Sequence, residues 1–166
     1  MFLRRVIAAN LVIDENVLVS AATTRNPSTS SDWEDQEQYP WSIVVLSDTI
    51  GCSHQILVTN AIERKYERKF TEINNGRFGP VVFNIAQYYS MAMDRGKVEY
   101  KNESLTEKPI HNDNLIKPDD KPFARLAINT LSKLVSLDGP LKSALGDTVK
   151  EPLELVITEL KKKAES

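Results

Sequence analysis

The sequence contains a single cysteine, Cys52, and only six glycines among its 166 residues. One cysteine cannot form an internal disulfide, so a disulfide-stapled domain is excluded and a reducing compartment is expected. The sequence has no glycine-rich phosphate loop, which argues against a nucleotide-binding enzyme. It also lacks the run of about eighteen apolar residues that a membrane helix needs and the apolar core of a targeting signal. We therefore expect a cytoplasmic protein with no membrane contact.

The sequence also lacks a strong excess of charge of either sign. Its 21 Lys and Arg residues against 23 Asp and Glu residues give a net charge of -2. No global attraction to nucleic acid follows, so any such binding requires a local basic patch. A hydrophobic fraction of 41% is ordinary for a folded chain, and the length suits one well-buried domain. We expect a single domain at residues 1–158 and a basic tail at residues 159–166.

Apolar segments of strand type alternate with amphipathic segments along the chain. The strands are predicted at residues 6–13, 55–59, 97–101, 134–137 and 153–158. The longer helices are predicted at residues 16–24, 41–51, 60–75, 80–95 and 119–131. The polar segments between them are predicted to be surface connections and cover residues 26–40 and 102–118. Such alternation predicts an α/β fold, a three-layer α/β/α sandwich with a central, mainly parallel sheet.

Acidic residues stand at the ends of several predicted elements. Asp14 directly follows the first strand, Asp119 and Asp120 open a helix, and Asp138 follows a late strand. The carboxyl ends of parallel strands meet at one edge, where open α/β sheets bind ligands, so we expect these carboxylates to converge. Clustered carboxylates repel unless a cation joins them, and hard oxygen ligands select Mg²⁺ or Mn²⁺. The alternative is that the acids are independent helix caps.

The same residues resemble three motifs of the PIN-domain family. The family's opening motif, an Asp followed two residues later by an Asn, is similar to Asp14 and Asn16. Its later acidic helix start is similar to the segment that begins at Asp120. Its Thr/Ser-x-Asp strand end is similar to Ser136 and Asp138. The motifs occur in the family's order along the chain.

The resemblance covers roughly residues 5–145 and implies a PIN-like fold with Mg²⁺- or Mn²⁺-dependent ribonuclease activity. It implies that the catalytic and metal-binding carboxylates are Asp14, Asp120 and Asp138. The resemblance also implies that three neighbouring residues orient these carboxylates: Asn16, Ser136 and Asp119. It further implies RNA as the substrate. Because active members often dimerise and toxin members pair with an antitoxin, it also implies a homodimer and a small antitoxin-like protein partner.

One position departs from the family's pattern. The family usually has a glutamate before an aromatic residue on the helix after the second strand, whereas here Lys65 precedes Tyr66. The lysine is expected either to pair with Asp14 or Asp138, which would weaken metal binding, or to extend into solvent. Two interpretations follow: a metal-dependent ribonuclease with a weakened site, or a degenerate PIN-like module that binds RNA or protein without turnover.

The helix that carries Lys65 also holds a local basic patch. The candidates for contact with an RNA backbone are Arg64, Arg68 and Lys69. The acidic residues interleaved with them are Glu63, Glu67 and Glu72. Pairing between neighbouring turns of a solvated helix therefore explains the pattern equally well.

Overall fold

The computed structural model describes residues 10–23, 42, 45–46 and 54–155. The strands are β1 (Asn10–Ile13), β2 (Gln55–Val58), β3 (Val98–Tyr100), β4 (Lys133–Val135) and β5 (Val149–Lys150). The α-helices with described bounds are α1 (Glu15–Thr23), α2 (Asn60–Asn74), α3 (Ile85–Asp94), α4 (Ser104–Glu107), α5 (Lys121–Asn129) and α6 (Gly139–Leu145). Short 3-10 turns occur at Asp113–Leu115 and Gly146–Thr148.

The five strands form one sheet in the order β3-β2-β1-β4-β5, and every neighbouring pair is parallel. The predicted three-layer α/β/α sandwich with a central parallel sheet is confirmed. The chain builds outward from β1 to β2 and β3, then returns to the other side of β1 with β4 and β5. The order of the strands therefore reverses between β1 and β4, and open α/β sheets bind ligands beside such a reversal.

The centre of the sheet is fully buried, as the apolar pattern predicts. The side chains of β1 from Leu11 to Ile13 and those of Leu134 and Val135 in β4 are at most 1% exposed. A strand buried on both faces needs this continuous run of branched apolar residues. The residues that follow β1 and β4 are therefore held on a rigid base.

Helix α2 begins and ends on local signals. The hydroxyl of Thr59 accepts a hydrogen bond from the backbone N–H of Ile62 and so caps the helix. Gly76, just beyond the helix, has a φ of 81°, a conformation that glycine adopts without strain. The predicted buried stripe is confirmed and consists of Ile62, Tyr66, Phe70 and Ile73.

The ring of Tyr66 joins α2 to two other helices. It stacks on Phe123 of α5 with 6.1 Å between ring centroids, and it meets the Tyr89 ring of α3 edge-on at 5.7 Å. Its hydroxyl donates a hydrogen bond to the backbone carbonyl of Ile13, the last residue of β1. One side chain therefore fixes α2 against the strand that precedes Asp14.

Two predicted boundaries were wrong. The last strand was predicted at residues 153–158, but β5 ends at Lys150 and residues 152–155 are helical. Pro152 explains the difference, because its fixed φ and missing N–H end a strand and suit the first turn of a helix. Helix α3 begins at Ile85 rather than at residue 80, since the side chain of Asn84 caps it by accepting from the backbone N–H of Gln87.

The predicted loop at residues 26–40, Cys52 and the tail at residues 159–166 lie outside the described residues. None of the helices in the described ranges combines the length and the apolar character that a membrane span requires.

Candidate acidic site at the sheet edge

Asp14 directly follows β1 at the point where the strand order reverses. Its backbone N–H donates to the carbonyl of Val135 at 2.9 Å, so the pairing of β1 with β4 continues up to this residue. The Asp14 side chain is only 4% exposed. Its Oδ2 accepts a hydrogen bond from the hydroxyl of Ser136 at 2.7 Å. The fold therefore buries a carboxylate beside the end of the neighbouring strand.

The three predicted aspartates differ in whether they cap a helix. Oδ1 of Asp138 accepts from the backbone N–H of Leu141 at 3.3 Å and caps α6. Asp120 stands at the start of α5 but forms no side-chain cap bond. In the described part of the chain, the Asp14 carboxylate likewise accepts no bond from the backbone of α1. Helix capping therefore accounts for Asp138 and leaves Asp14 and Asp120 without that explanation.

The three carboxylates are close enough to alter each other's protonation. Burial raises the pKa of Asp14 to about 7; the Ser136 hydrogen bond opposes this rise, and the charges of Asp120, Glu15 and Asp138 add to it. Burial also raises the pKa of Asp120 to about 6; the charge of Asp138 adds to that rise and the charge of Lys117 opposes it. Mutual repulsion of this kind marks a place where a cation would be stabilised.

Asn16 and Ser136 lie beside Asp14 and connect α1 to the segment after β4. The Asn16 amide nitrogen lies 3.5 Å from the Ser136 hydroxyl oxygen, and its Oδ1 accepts from the backbone N–H of Leu137 at 3.2 Å. The same hydroxyl oxygen accepts from the backbone N–H of Asp138 at 3.0 Å. These bonds fix the position of Asp14 relative to Asp138.

Lys65 does not form the expected ion pair with Asp14 or Asp138. Its ammonium lies 3.9 Å from Oδ1 of Asp119, and no ion pair joins it to Asp14 or Asp138 among the described residues. The Lys65 side chain is 16% exposed, so most of it is buried, while its ammonium lies next to the exposed Asp119 carboxylate. Asp119 is 95% exposed, so it forms the outer rim of the site rather than supporting the buried Asp14.

Glu15 is an acidic residue of the site that the sequence analysis did not identify. Burial raises its pKa, while the charges of Lys69 and Lys65 lower it. The ammonium of Lys69 lies 3.9 Å from Oε2 of Glu15 and 3.0 Å from Oε2 of Glu72. The available sequence signal was the position of Glu15 in the first turn of α1, directly after Asp14.

Of the three predicted RNA contacts, two are available on the surface. Arg64 and Arg68 are exposed one turn apart on α2 and, with Glu67 and Thr71, line an open groove of about 480 Å³. Neither arginine forms an ion pair within the described residues. Lys69 is partly buried and forms ion pairs with Glu15 and Glu72, and its contact with RNA stays a prediction.

The connection before α5 contains an anchor that the sequence analysis missed. Nε and Nη2 of Arg125 donate to the two carboxylate oxygens of Asp113 at 2.7 and 2.8 Å. Lys121, the first residue of α5, lies 3.4 Å from the same carboxylate. This anchor ties the segment before Asp119 and Asp120 to α5 and so positions both acids.

The donor atoms of the three aspartates suit Mg²⁺ or Mn²⁺, since all are carboxylate oxygens. The described residues contain no group of three or more His, Cys, Asp or Glu side chains placed to hold a metal ion. The side chains therefore do not form a ready cage of three ligands. Mg²⁺ usually keeps several waters and needs only one or two protein carboxylates. A hydrated divalent cation bound in that way would need only one or two of these carboxylates.

Comparisons of the chain with protein-family models, curated proteins and solved structures gave no match. The PIN-domain resemblance therefore stays a sequence-based prediction, and the case for a function depends on the site.

Proposed function

We propose that the protein is a metal-dependent ribonuclease of PIN type, which hydrolyses RNA phosphodiester bonds at Asp14, Asp120 and Asp138 with Mg²⁺ or Mn²⁺. The observation that carries the proposal is the burial of the Asp14 carboxylate at the reversal of strand order, among other acids. Within the described residues, no basic side chain forms an ion pair with any of the three aspartates. A buried carboxylate that has no ion pair costs stability and favours a functional role.

Each residue of the site would have a separate role in RNA hydrolysis. A bound Mg²⁺ or Mn²⁺ would activate water and stabilise the charge that develops on the phosphate. Asp14 and Asp120, which are not helix caps, would hold this cation. Asp138 would add negative charge while it caps α6, and Ser136 would orient the Asp14 carboxylate through its hydrogen bond.

The groove along α2 supports RNA as the substrate. Arg64 and Arg68 present guanidinium groups that can bind phosphate through paired N–H donors. Contacts to phosphates carry no sequence information, so binding through these arginines would be insensitive to base sequence.

A cleavage assay tests the proposal. The purified chain is incubated with labelled single-stranded RNA and either MgCl₂, MnCl₂ or EDTA. We expect cleavage with either metal, none with EDTA, and loss of cleavage in Asp14→Asn. Ser136→Ala should reduce the rate by about 10- to 100-fold, since groups that orient a ligand typically have effects of this size.

Asp147→Asn is the matched control, because Asp147 is an exposed acid in the 3-10 turn before β5 and its carboxylate pairs with Lys150. It should cleave at the wild-type rate. An Asp14→Asn variant that cleaves RNA as fast as the wild type would contradict the proposal.

The second candidate is a degenerate PIN-like module that binds RNA or protein without turnover. The lysines beside Glu15 and Asp119 favour it, because internal ammonium groups weaken cation binding. If the module binds RNA, the wild type should retain RNA in a filter-binding assay and show no metal-dependent cleavage. Asp14→Asn should then bind RNA as tightly as the wild type.

A further inference from the structure

The peptide group that joins Ile13 to Asp14 is held from both sides. Its N–H, which belongs to Asp14, donates to the carbonyl of Val135 in β4 at 2.9 Å. Its carbonyl, which belongs to Ile13, accepts a hydrogen bond from the hydroxyl of Tyr66 on α2. A trans peptide group is planar, and its C=O and N–H point in opposite directions. The two hydrogen bonds therefore fix the backbone plane from which the Asp14 side chain extends.

The Tyr66 hydroxyl takes the position of a strand neighbour on the β2 side of β1. The pairing of β1 with β2 covers Asn10 and Leu11, whereas the pairing with β4 continues to Ile13. After β2 the chain enters α2 at Asn60. A buried carbonyl needs a donor, and α2 supplies one through Tyr66. The hydroxyl therefore extends the support of β1 as far as the residue that carries the carboxylate.

The buried hydroxyl of Tyr66 acts as a donor. The side chain is 1% exposed. Burial and the charge of Asp14 raise the pKa of the hydroxyl well above its usual value, so it stays protonated. A carbonyl oxygen can only accept, so the proton of this bond comes from the tyrosine. Phenylalanine would fill the same apolar space, and the hydroxyl is what adds the bond to Ile13.

The ring of Tyr66 reaches the second aspartate that is not a helix cap. It stacks on Phe123 with 6.1 Å between the ring centroids. Phe123 is fully buried and lies three residues after Asp120, at the start of α5. Tyr66 therefore contacts the peptide group before Asp14 through its hydroxyl and the first turn of α5 through its ring.

We propose that Tyr66 is a positioning residue of the acidic site: its hydroxyl holds the Ile13–Asp14 peptide group so that the Asp14 carboxylate meets the Ser136 hydroxyl. Tyr66 acts through Asp14 and not on the substrate. The consequence for catalysis rests on the proposed ribonuclease function. A displacement of a catalytic group by about 1 Å can lower a rate by about 100-fold, so a single positioning bond can matter for turnover.

Tyr66→Phe tests the hydroxyl alone, because the ring and its contact with Phe123 are kept. With labelled single-stranded RNA and MgCl₂, we expect kcat to fall by about tenfold or more while KM stays within about twofold. KM should hold because the arginines proposed to bind RNA, Arg64 and Arg68, lie on the exposed face of α2. An unchanged kcat in Tyr66→Phe would overturn the inference.

Tyr88→Phe is the matched control. Tyr88 lies on α3, is 5% exposed, and its hydroxyl donates to the backbone carbonyl of Leu46. The control therefore loses the same kind of buried bond, from a carbonyl that does not adjoin any of the three aspartates. Its kcat should match that of the wild type. An equal fall of kcat in Tyr66→Phe and Tyr88→Phe would show a general effect of lost stability and would overturn the inference.

A double-mutant cycle with Asp14→Asn tests the positioning without metal or RNA. Urea midpoints are measured in EDTA at about pH 8, above the pKa of about 7 of Asp14. Tyr66→Phe should lower the midpoint more in the wild type than in Asp14→Asn, where no charge has to meet the Ser136 hydroxyl. Tyr88→Phe should lower it equally in both backgrounds, as independent sites do.

The outcomes separate the inference from the function on which its catalytic consequence rests. Equal midpoint losses for Tyr66→Phe in both backgrounds would overturn the role of Tyr66 and leave the ribonuclease proposal standing. Unequal losses in a protein that cleaves no RNA with either metal would support the positioning of Asp14 by Tyr66 and overturn the ribonuclease proposal.

Discussion

At the scale of single residues, Asp14 shows how a functional position can conflict with stability. The fold places this carboxylate in a 4% exposed environment among other acids. One hydroxyl, that of Ser136, donates to it. A side chain selected for stability alone would be apolar or amide at this position, because a buried charge is costly without compensation.

Asp14→Asn is therefore expected to stabilise the metal-free protein. The amide has no charge to bury, and its oxygen can still accept from Ser136, so we expect the free energy of unfolding to rise by about 1–3 kcal/mol at about pH 8. Urea denaturation in EDTA measures the change. Excess MgCl₂ should then stabilise the wild type and leave Asp14→Asn unaffected. Lower stability of the variant in EDTA would contradict this prediction.

At the scale of elements, the start of α5 depends on the Asp113–Arg125 anchor. The hydrogen bond from Arg125 lowers the pKa of Asp113 from 3.8 to about 2. A carboxyl group whose pKa is lower in the folded state stabilises the protein above its unfolded pKa, and this contribution is lost as the pH falls through the folded value. The anchor should therefore weaken between about pH 4 and pH 2.

The pH dependence of Asp113→Asn tests this anchor. The variant should be less stable than the wild type near neutral pH, and the difference in unfolding free energy should shrink as the pH falls from about 4 through about 2. Urea denaturation across this pH range measures both proteins. The exposed Glu107→Gln is the control and should show no such convergence. A difference between wild type and Asp113→Asn that stays constant with pH would count against the anchor.

Features that depend on one helix or strand were predictable from the sequence, whereas contacts between distant segments were not. The stripe that buries Tyr66 repeats along one helix, so the local sequence contains the whole pattern. The partner of Lys65 was predicted wrongly because Asp119 comes from a distant segment, which the Asp113–Arg125 anchor positions. The last strand was predicted wrongly because an apolar run outweighed the break at Pro152.

At the scale of the whole molecule, a chain with a net charge of -2 presents a local pair of exposed arginines. RNA binding must therefore come from a patch rather than from the overall charge. The arginine side chains line the groove on α2. Arg95 is the C-cap residue of α3 and is not among the described residues that line this groove.

Salt dependence measures the contribution of that patch. Arg64→Ala and Arg68→Ala should each weaken binding to single-stranded RNA and reduce the slope of log affinity against log salt by about 0.7, the value for one lost phosphate contact. Arg95→Ala removes the same charge and should leave the slope unchanged. An equal reduction in all three variants would show that binding follows net charge and not the groove.

The sequence by itself determined the alternation of strands and helices, the buried stripe of α2 and the acids at the ends of elements, because these depend on neighbours a few residues apart. Only the tertiary structure decided that β1 lies next to β4, which brings Asp14 to Ser136 and Asp138. It also decided that Asp138 caps a helix and that Lys65 pairs with Asp119. Those outcomes depend on the order of strands in the sheet and on burial, and both arise only when segments distant in the sequence pack together.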